Sequence, residues 1–282
     1  MKKIFLLLMA TMFLQCFITK NSNAQVLQEL PYVKNHTQDR RPVAYQFVRE
    51  ADVMWSKIVW RRIELSERAN QHLFFPTTPM DGRMSLIDVL LEGIHTQGLI
   101  VYGDNGNDEF AKILTVDEVH SNLGSEMQQV QVMKEDGSQV LMNQESGYTS
   151  SEILSYLIKE LWYFDKQRSV MEVRIIGLCP VRVYQKDPNV PDYSNVQVFW
   201  AYYPDIRKLL SNAECFNPQN DAARLNFEDV FEKRLFSSYI YAESNMYDNR
   251  SINQYAQNHE ILLESEKIKE QIFNFEQDLW EY

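Results

Sequence analysis

Val170-Met-Glu-Val-Arg-Ile-Ile-Gly-Leu-Cys-Pro-Val-Arg-Val-Tyr184 reads as a β-strand: Val and Ile dominate it, and Glu172, Arg174 and Arg182 alternate in parts with the apolar residues. β-branched side chains suit a pleated, half-buried surface and lose rotamer freedom in a helix. Val196-Gln-Val-Phe-Trp-Ala-Tyr-Tyr203 is a second run of the same character. Between them lies Asp187-Pro-Asn-Val-Pro-Asp192, rich in turn formers, so the two runs are expected to pair antiparallel through a long loop. Upstream the period is different. Thr149-Ser-Ser-Glu152 has the capping-box form, and Ile153, Leu154, Leu157, Ile158 and Leu161 make one broad apolar face, which predicts a helix through Leu161. Helices beside a short antiparallel sheet make the expected fold class α+β.

Outward from this centre, Arg83-Met-Ser-Leu-Ile-Asp88-Val-Leu recurs as Arg224-Leu-Asn-Phe-Glu-Asp229-Val-Phe, an internal pseudo-repeat. In each copy a capping residue, Ser85 or Asn226, precedes an acid by three positions, the signature of a helix start. The runs Ile63-Glu-Leu65 and Ile206-Arg-Lys-Leu-Leu210 lead into Phe75-Pro76 and Asn217-Pro218. Each copy is therefore expected to read helix, proline break, capped helix. Phe47, Ala51, Met54, Trp55 and Ile58 fall at helical spacing with charged residues between them, which predicts an amphipathic helix from Phe47 to about Ser66. Trp60 and Ile63 fall partly off its stripe. Leu99 to Tyr102 is a short β-prone run, and Met127 to Met133 a weaker one followed by a hairpin turn at Glu135-Asp-Gly-Ser138.

Met1 to Ala24 has a basic start, an apolar core and small residues at its end, the form of an export signal. Cys16 leaves with it, and the mature chain begins near Gln25. No stop-transfer segment follows, so no membrane span is expected. Residues 25–46 carry Pro31 and Pro42 without a sustained period and are expected to form an extended arm, lying on its own domain or reaching a neighbour. Residues 47–250 then form an α+β domain with two related helical units, and residues 251–282 a helical tail. The formal net charge of −11 becomes more negative when Lys2, Lys3 and Lys20 leave with the signal, which weighs against nucleic acid and against anionic lipid. A hydrophobic content of 45% excludes a disordered chain.

In the tail, Ile261, Ile268 and Phe275 recur every seven residues and Ile272 and Leu279 fill the alternate positions, with Ser265 the weak member. This is a narrow seam of 3.5-residue period. It packs either on its own domain or on a partner; because so narrow a seam suits one opposing helix, these five residues are the candidate partner-binding set. Cys179 and Cys215 are read two ways. As a disulfide they would close a loop of about 36 residues, contributing roughly 3–4 kcal/mol on the chain-entropy model; otherwise they are two buried thiols.

Catalytic chemistry needs a nucleophile with its base, a metal cluster or a cofactor loop. His36, His72, His95, His120 and His259 are scattered without ligand spacing, and no phosphate-binding glycine loop or nucleophile elbow occurs. The polar turn Gly103-Asp-Asn-Gly-Asn-Asp108 lacks the spacing and closing glutamate of a calcium loop. No catalytic, metal or cofactor residue is assigned.

The export signal, Trp60-Arg-Arg-Ile-Glu-Leu before Leu73-Phe-Phe-Pro76, Glu172-Val-Arg-Ile-Ile-Gly177 and Phe199-Trp-Ala-Tyr-Tyr-Pro-Asp205 together resemble one family. So do Phe236-Ser-Ser-Tyr-Ile-Tyr-Ala-Glu-Ser-Asn245 and Glu264-Ser-Glu-Lys-Ile-Lys-Glu270. The chain resembles the GldN/PorN family, a gliding-motility and type IX secretion component of Bacteroidota. The resemblance implies a structural subunit, not an enzyme, that self-associates in a periplasmic ring. It also implies two partners, the outer-membrane lipoprotein GldK/PorK, which would hold it at that membrane, and the periplasmic part of GldM/PorM. A contrasting reading is a periplasmic enzyme or glycan-binding protein, with Phe199 to Tyr203 as a sugar-stacking surface.

Overall fold

In the computed structural model, residues 40–279 are described except 81, 105–108, 125–126, 134–138, 146–149, 186–192, 219 and 221. The strands in chain order are β1 (Val53–Glu64), β2 (Val101–Gly103), β3 (Lys112–Ile113), β4 (Met127–Met133), β5 (Gln139–Glu145), β6 (Ile153–Asp165), β7 (Val170–Gln185), β8 (Tyr193–Gln197), β9 (Trp200–Tyr202), β10 (Glu214–Cys215), β11 (Leu225–Asn226) and β12 (Tyr239–Glu243). The helices are α1 (Gln71–Phe74), α2 (Leu86–Gln97), α3 (Val116–Asn122), α4 (Tyr203–Asn212), α5 (Phe227–Glu232) and α6 (His259–Asp278). One antiparallel sheet of eight strands runs in the order β12-β1-β6-β7-β9-β2-β3, with β8 paired beside β7. The fold is α+β, as expected, but the sheet is its centre and is not short.

Two expected helices are strands. Residues 53–64 form β1, preceded only by a 3₁₀ turn at Glu50–Asp52, and residues 153–165 form β6, after a 3₁₀ turn at Ser150–Glu152. The physical reason is burial on both sides. β1 is hydrogen-bonded to β6 along one edge and β12 along the other, and buries Ile63 on one face and Trp60 on the other. In β6, Leu157 and Ile158 are both buried and belong to different clusters. A strand covered on both faces shows no clean alternation, and a run of apolar residues then imitates a helix face. The expected pairing of the two β-rich runs holds: β7 pairs antiparallel with β8 and β9. Their connecting loop lies outside the described residues, as do the turn at 135–138 between the paired strands β4 and β5 and most of the polar turn at 103–108.

The capped helix of the first repeat copy forms as read. Ser85 is its N-cap, with Oγ accepting from Asp88 N and donating to Asp88 Oδ2 at 2.6 Å, and Gly98 closes the C-terminus at φ 65°, where a side chain would be strained. In the second copy Asn226 stands at the N-cap of α5, but its amide donates to Ser211 O instead of accepting a capping bond. Ile63-Glu-Leu65 is the end of β1, so the expected upstream helix is replaced by the short α1, whereas Ile206 to Leu210 does lie in α4.

α2, α4 and α5 cover one face of the sheet, burying Ile87, Leu90, Ile206, Leu210, Phe227 and Phe231 against Ile63, Tyr156, Ile158 and Ile175. The other face carries a second cluster of Trp60, Leu157, Cys179, Trp200 and Ala242. Phe110 packs there, over Gly177: a Cβ at that glycine would lie 2.7 Å from the Phe110 ring, so the approach requires a residue without one.

Candidate functional site

The sequence nominated the terminal helix, and the structure turns its seam inward. Ile268 and Ile272 are buried with Val59, Ile240, Ile252 and Ala256, while Ile261 is half-buried against them. Phe275 stacks on Trp55 at 4.9 Å between ring centres, and Leu279 is half-buried. Ser265, the polar break in the seam, accepts a hydrogen bond at 2.9 Å from the backbone N–H of Ile240. The seam needs a hydroxyl there because a buried N–H on β12 would otherwise lack a partner. Ile261, Ile268, Ile272 and Phe275 thus cover the chain's own sheet, and the partner-binding assignment is corrected for them. The other side of α6 stays exposed at Leu262, Leu263 and Phe273. Beside it runs a groove of about 520 Å³ floored by Trp162, Ile240 and Ile272 and rimmed by Glu266, Glu270 and Glu276.

The described part of the arm, residues 40–46, lies on its own domain through polar contacts. Arg40 pairs with Asp229 at 2.8 Å, and Ser211 Oγ donates to Arg40 O. Tyr45 lies over the Arg207 guanidinium at 3.9 Å and donates to Glu232 at 3.0 Å. Arg207 and Glu228, both buried, form a 2.8 Å ion pair beneath that ring. Burial, and then the carboxylate of Glu232, hold the Tyr45 phenol above its usual range. Burial alone would raise Asp229, but Arg40 and Lys233 outweigh it and leave its carboxyl below the usual range. These residues were not nominated from sequence, although one signal was present: Arg207 shares a helix face with Tyr203, Ile206 and Leu210, a charge inside an apolar stripe. Between the clamped positions Val43 points outward at 81% exposure, and just beyond them Phe47 does so at 90%.

Cys179 and Cys215 are free thiols in separate hydrophobic clusters, so the disulfide reading does not hold and the buried-thiol reading does. Burial pushes Cys215 up to about 12 and Cys179 well above its ordinary value, so neither is a thiolate at neutral pH.

A cleft of about 850 Å³ on the second face is lined by Trp60, Glu109, Trp200, Tyr241 and Arg250 among others. Its polar groups answer one another. Glu109 accepts from Trp60 Nε1 at 2.5 Å and from Lys159 at 2.6 Å, and Trp200 Nε1 donates to Gln197. Of the proposed sugar-stacking run, Phe199, Trp200, Ala201 and Tyr203 are buried and only Tyr202 reaches solvent, so that run presents a single exposed ring. Glu160, with no exposed surface, accepts from Trp162 Nε1 at 3.0 Å and from Arg234 Nη2 at 3.3 Å, and its other oxygen lies 3.0 Å from Arg234 Nη1. That group is a structural counter-charge inside the sheet. No helix of the described residues is long and apolar enough to cross a membrane.

A family model described as gliding motility associated protein GldN matches residues 48–281, a span that starts just after the arm and takes in the whole sheet and α6. No curated protein matches the chain.

Proposed function

The chain belongs to the GldN family of gliding motility associated proteins, and from that premise we propose that it is a structural subunit of a periplasmic ring complex in the type IX secretion and gliding machinery. Its partners in this reading are further copies of itself, the outer-membrane lipoprotein GldK/PorK, which holds it at that membrane, and the periplasmic part of GldM/PorM. It carries out no catalytic step. The observation that supports the reading is the family match across almost all the described residues. The region of the arm adds to it: a segment fixed at Arg40 and Tyr45 holds Val43, and Phe47 just after it, out in solvent, where a neighbouring subunit could cover them.

Deletion of the gene is expected to block export of type IX cargo and, where present, gliding. Val43→Asp with Phe47→Asp is expected to abolish co-purification of the complex from envelopes while the isolated chain melts as wild type. A lone Ser, His or carboxylate substitution that abolishes function with fold and assembly intact would overturn the proposal.

A further inference from the structure

Away from the arm and the terminal helix, two of the chain's five histidines meet. His95, in the last turn of α2, and His120, in the last turn of α3, have ring centres 5.0 Å apart with ring planes inclined at 35°. Their positions are set by rigid elements. α2 buries Leu90, Leu91 and Ile94 just before His95, and α3 is fixed by Val119 and Leu123 on either side of His120. A capping box at Thr115 and Glu118 fixes the start of α3. A site on anchored helices holds its geometry better than one on loops.

The spacing matches a chelate. An imidazole nitrogen sits about 2.0–2.1 Å from a bound zinc, which puts each ring centre about 3.2 Å from the metal, so a tetrahedral angle separates two ring centres by about 5.2 Å. We infer that His95 and His120 form a two-imidazole site for a divalent first-row transition metal, of the zinc, nickel or copper type that imidazole suits. Among the described residues no third His, Cys, Asp or Glu joins them into a fuller ligand set. The remaining coordination positions therefore belong to water or to a donor from another molecule, as in sites that keep open positions. The pair is reached from the His95 side: His95 is exposed and borders an open pocket of about 510 Å³, while His120 is half-buried. Glu92 lies one turn before His95 on the same face of α2.

The test is a calorimetric titration of chelator-treated protein, purified without a polyhistidine tag, with zinc chloride and separately with nickel chloride. One saturable equivalent per chain, lost in both His95→Ala and His120→Ala, is the expected result. The melting temperature of the wild type should rise with zinc, and that of either variant should not. As a reading that does not depend on the variants folding, zinc should move the imidazole NMR signals of His95 and His120 and leave those of His36, His72 and His259 in place. No saturable uptake, uptake that survives in either variant, or shifts confined to other imidazoles would overturn the assignment.

Discussion

Replacing Ile268 by alanine tests whether α6 is part of the core or an appendage. Ile268 is 3% exposed and packs with Val59 of β1 and Ile240 of β12, so the substitution removes buried methyl groups and leaves a cavity between helix and sheet. Such deletions cost about 2–5 kcal/mol, the spread reflecting how far the site collapses. Taking about 3 kcal/mol, and about 2–4 °C per kcal/mol for a domain of this size, the melting temperature should fall by about 6–12 °C. Phe273→Ala on the exposed side of the same helix is the control. That ring is 56% exposed, so its loss should cost about 0.5 kcal/mol or less and shift melting by no more than about 2 °C. The assay is thermal unfolding of the isolated protein followed by circular dichroism, with urea unfolding to confirm that the denaturant slope is unchanged. If Ile268→Ala melts as wild type, or if Phe273→Ala is the more damaging of the two, the inward seam is wrong.

Arg207→Met leaves Glu228 buried without its closest partner and is expected to cost about 3–5 kcal/mol in urea unfolding, whereas adding Glu228→Leu should recover most of that loss. Alkylation without reductant should leave Cys179 and Cys215 unlabelled in the folded protein and label both after denaturation; a mass consistent with a bridge would contradict the free thiols. Asp229 is held below its unfolded value of about 3.9, so its contribution is fully present above that value and disappears as pH falls through the lower folded one. The stability gap between wild type and Asp229→Asn should therefore be constant from pH 7 to about 5 and close in stronger acid; a gap that widens toward acid would contradict the assigned direction.

What the sequence made legible follows from how each element is covered. β7 was readable because Glu172, Arg174 and Arg182 leave its period visible, and α2 because Ser85 and Gly98 bound it chemically at both ends. β1 and β6 were misread because both lie inside the sheet with apolar residues on each face, so Trp60 and Ile63 registered as strays from a helix when they were the two sides of a strand. The seam of α6 was found correctly, but its target was not, since a 3.5-residue stripe describes the helix alone and says nothing of what it faces. The arm clamp was out of reach for a different reason: Arg40 meets Asp229 and Tyr45 meets Glu232 across 189 and 187 residues, and pairing at that range leaves no local pattern.

The order of strands also governs how the protein is made. β1 is completed on one edge by β6 and on the other by β12, and Ile58 donates to Ser244 across 186 residues. A chain delivered amino end first must therefore carry β1, with Val59, Trp60 and Ile63, as an open template until nearly everything after it has arrived. Closing such distant pairs is slow compared with helix formation, and the interval is when unpaired strands find wrong neighbours. Because β12 and α6 come last and seal β1, a product shortened even modestly at the carboxyl end lacks its closing piece, and is expected to be lost to aggregation or proteolysis before it can assemble.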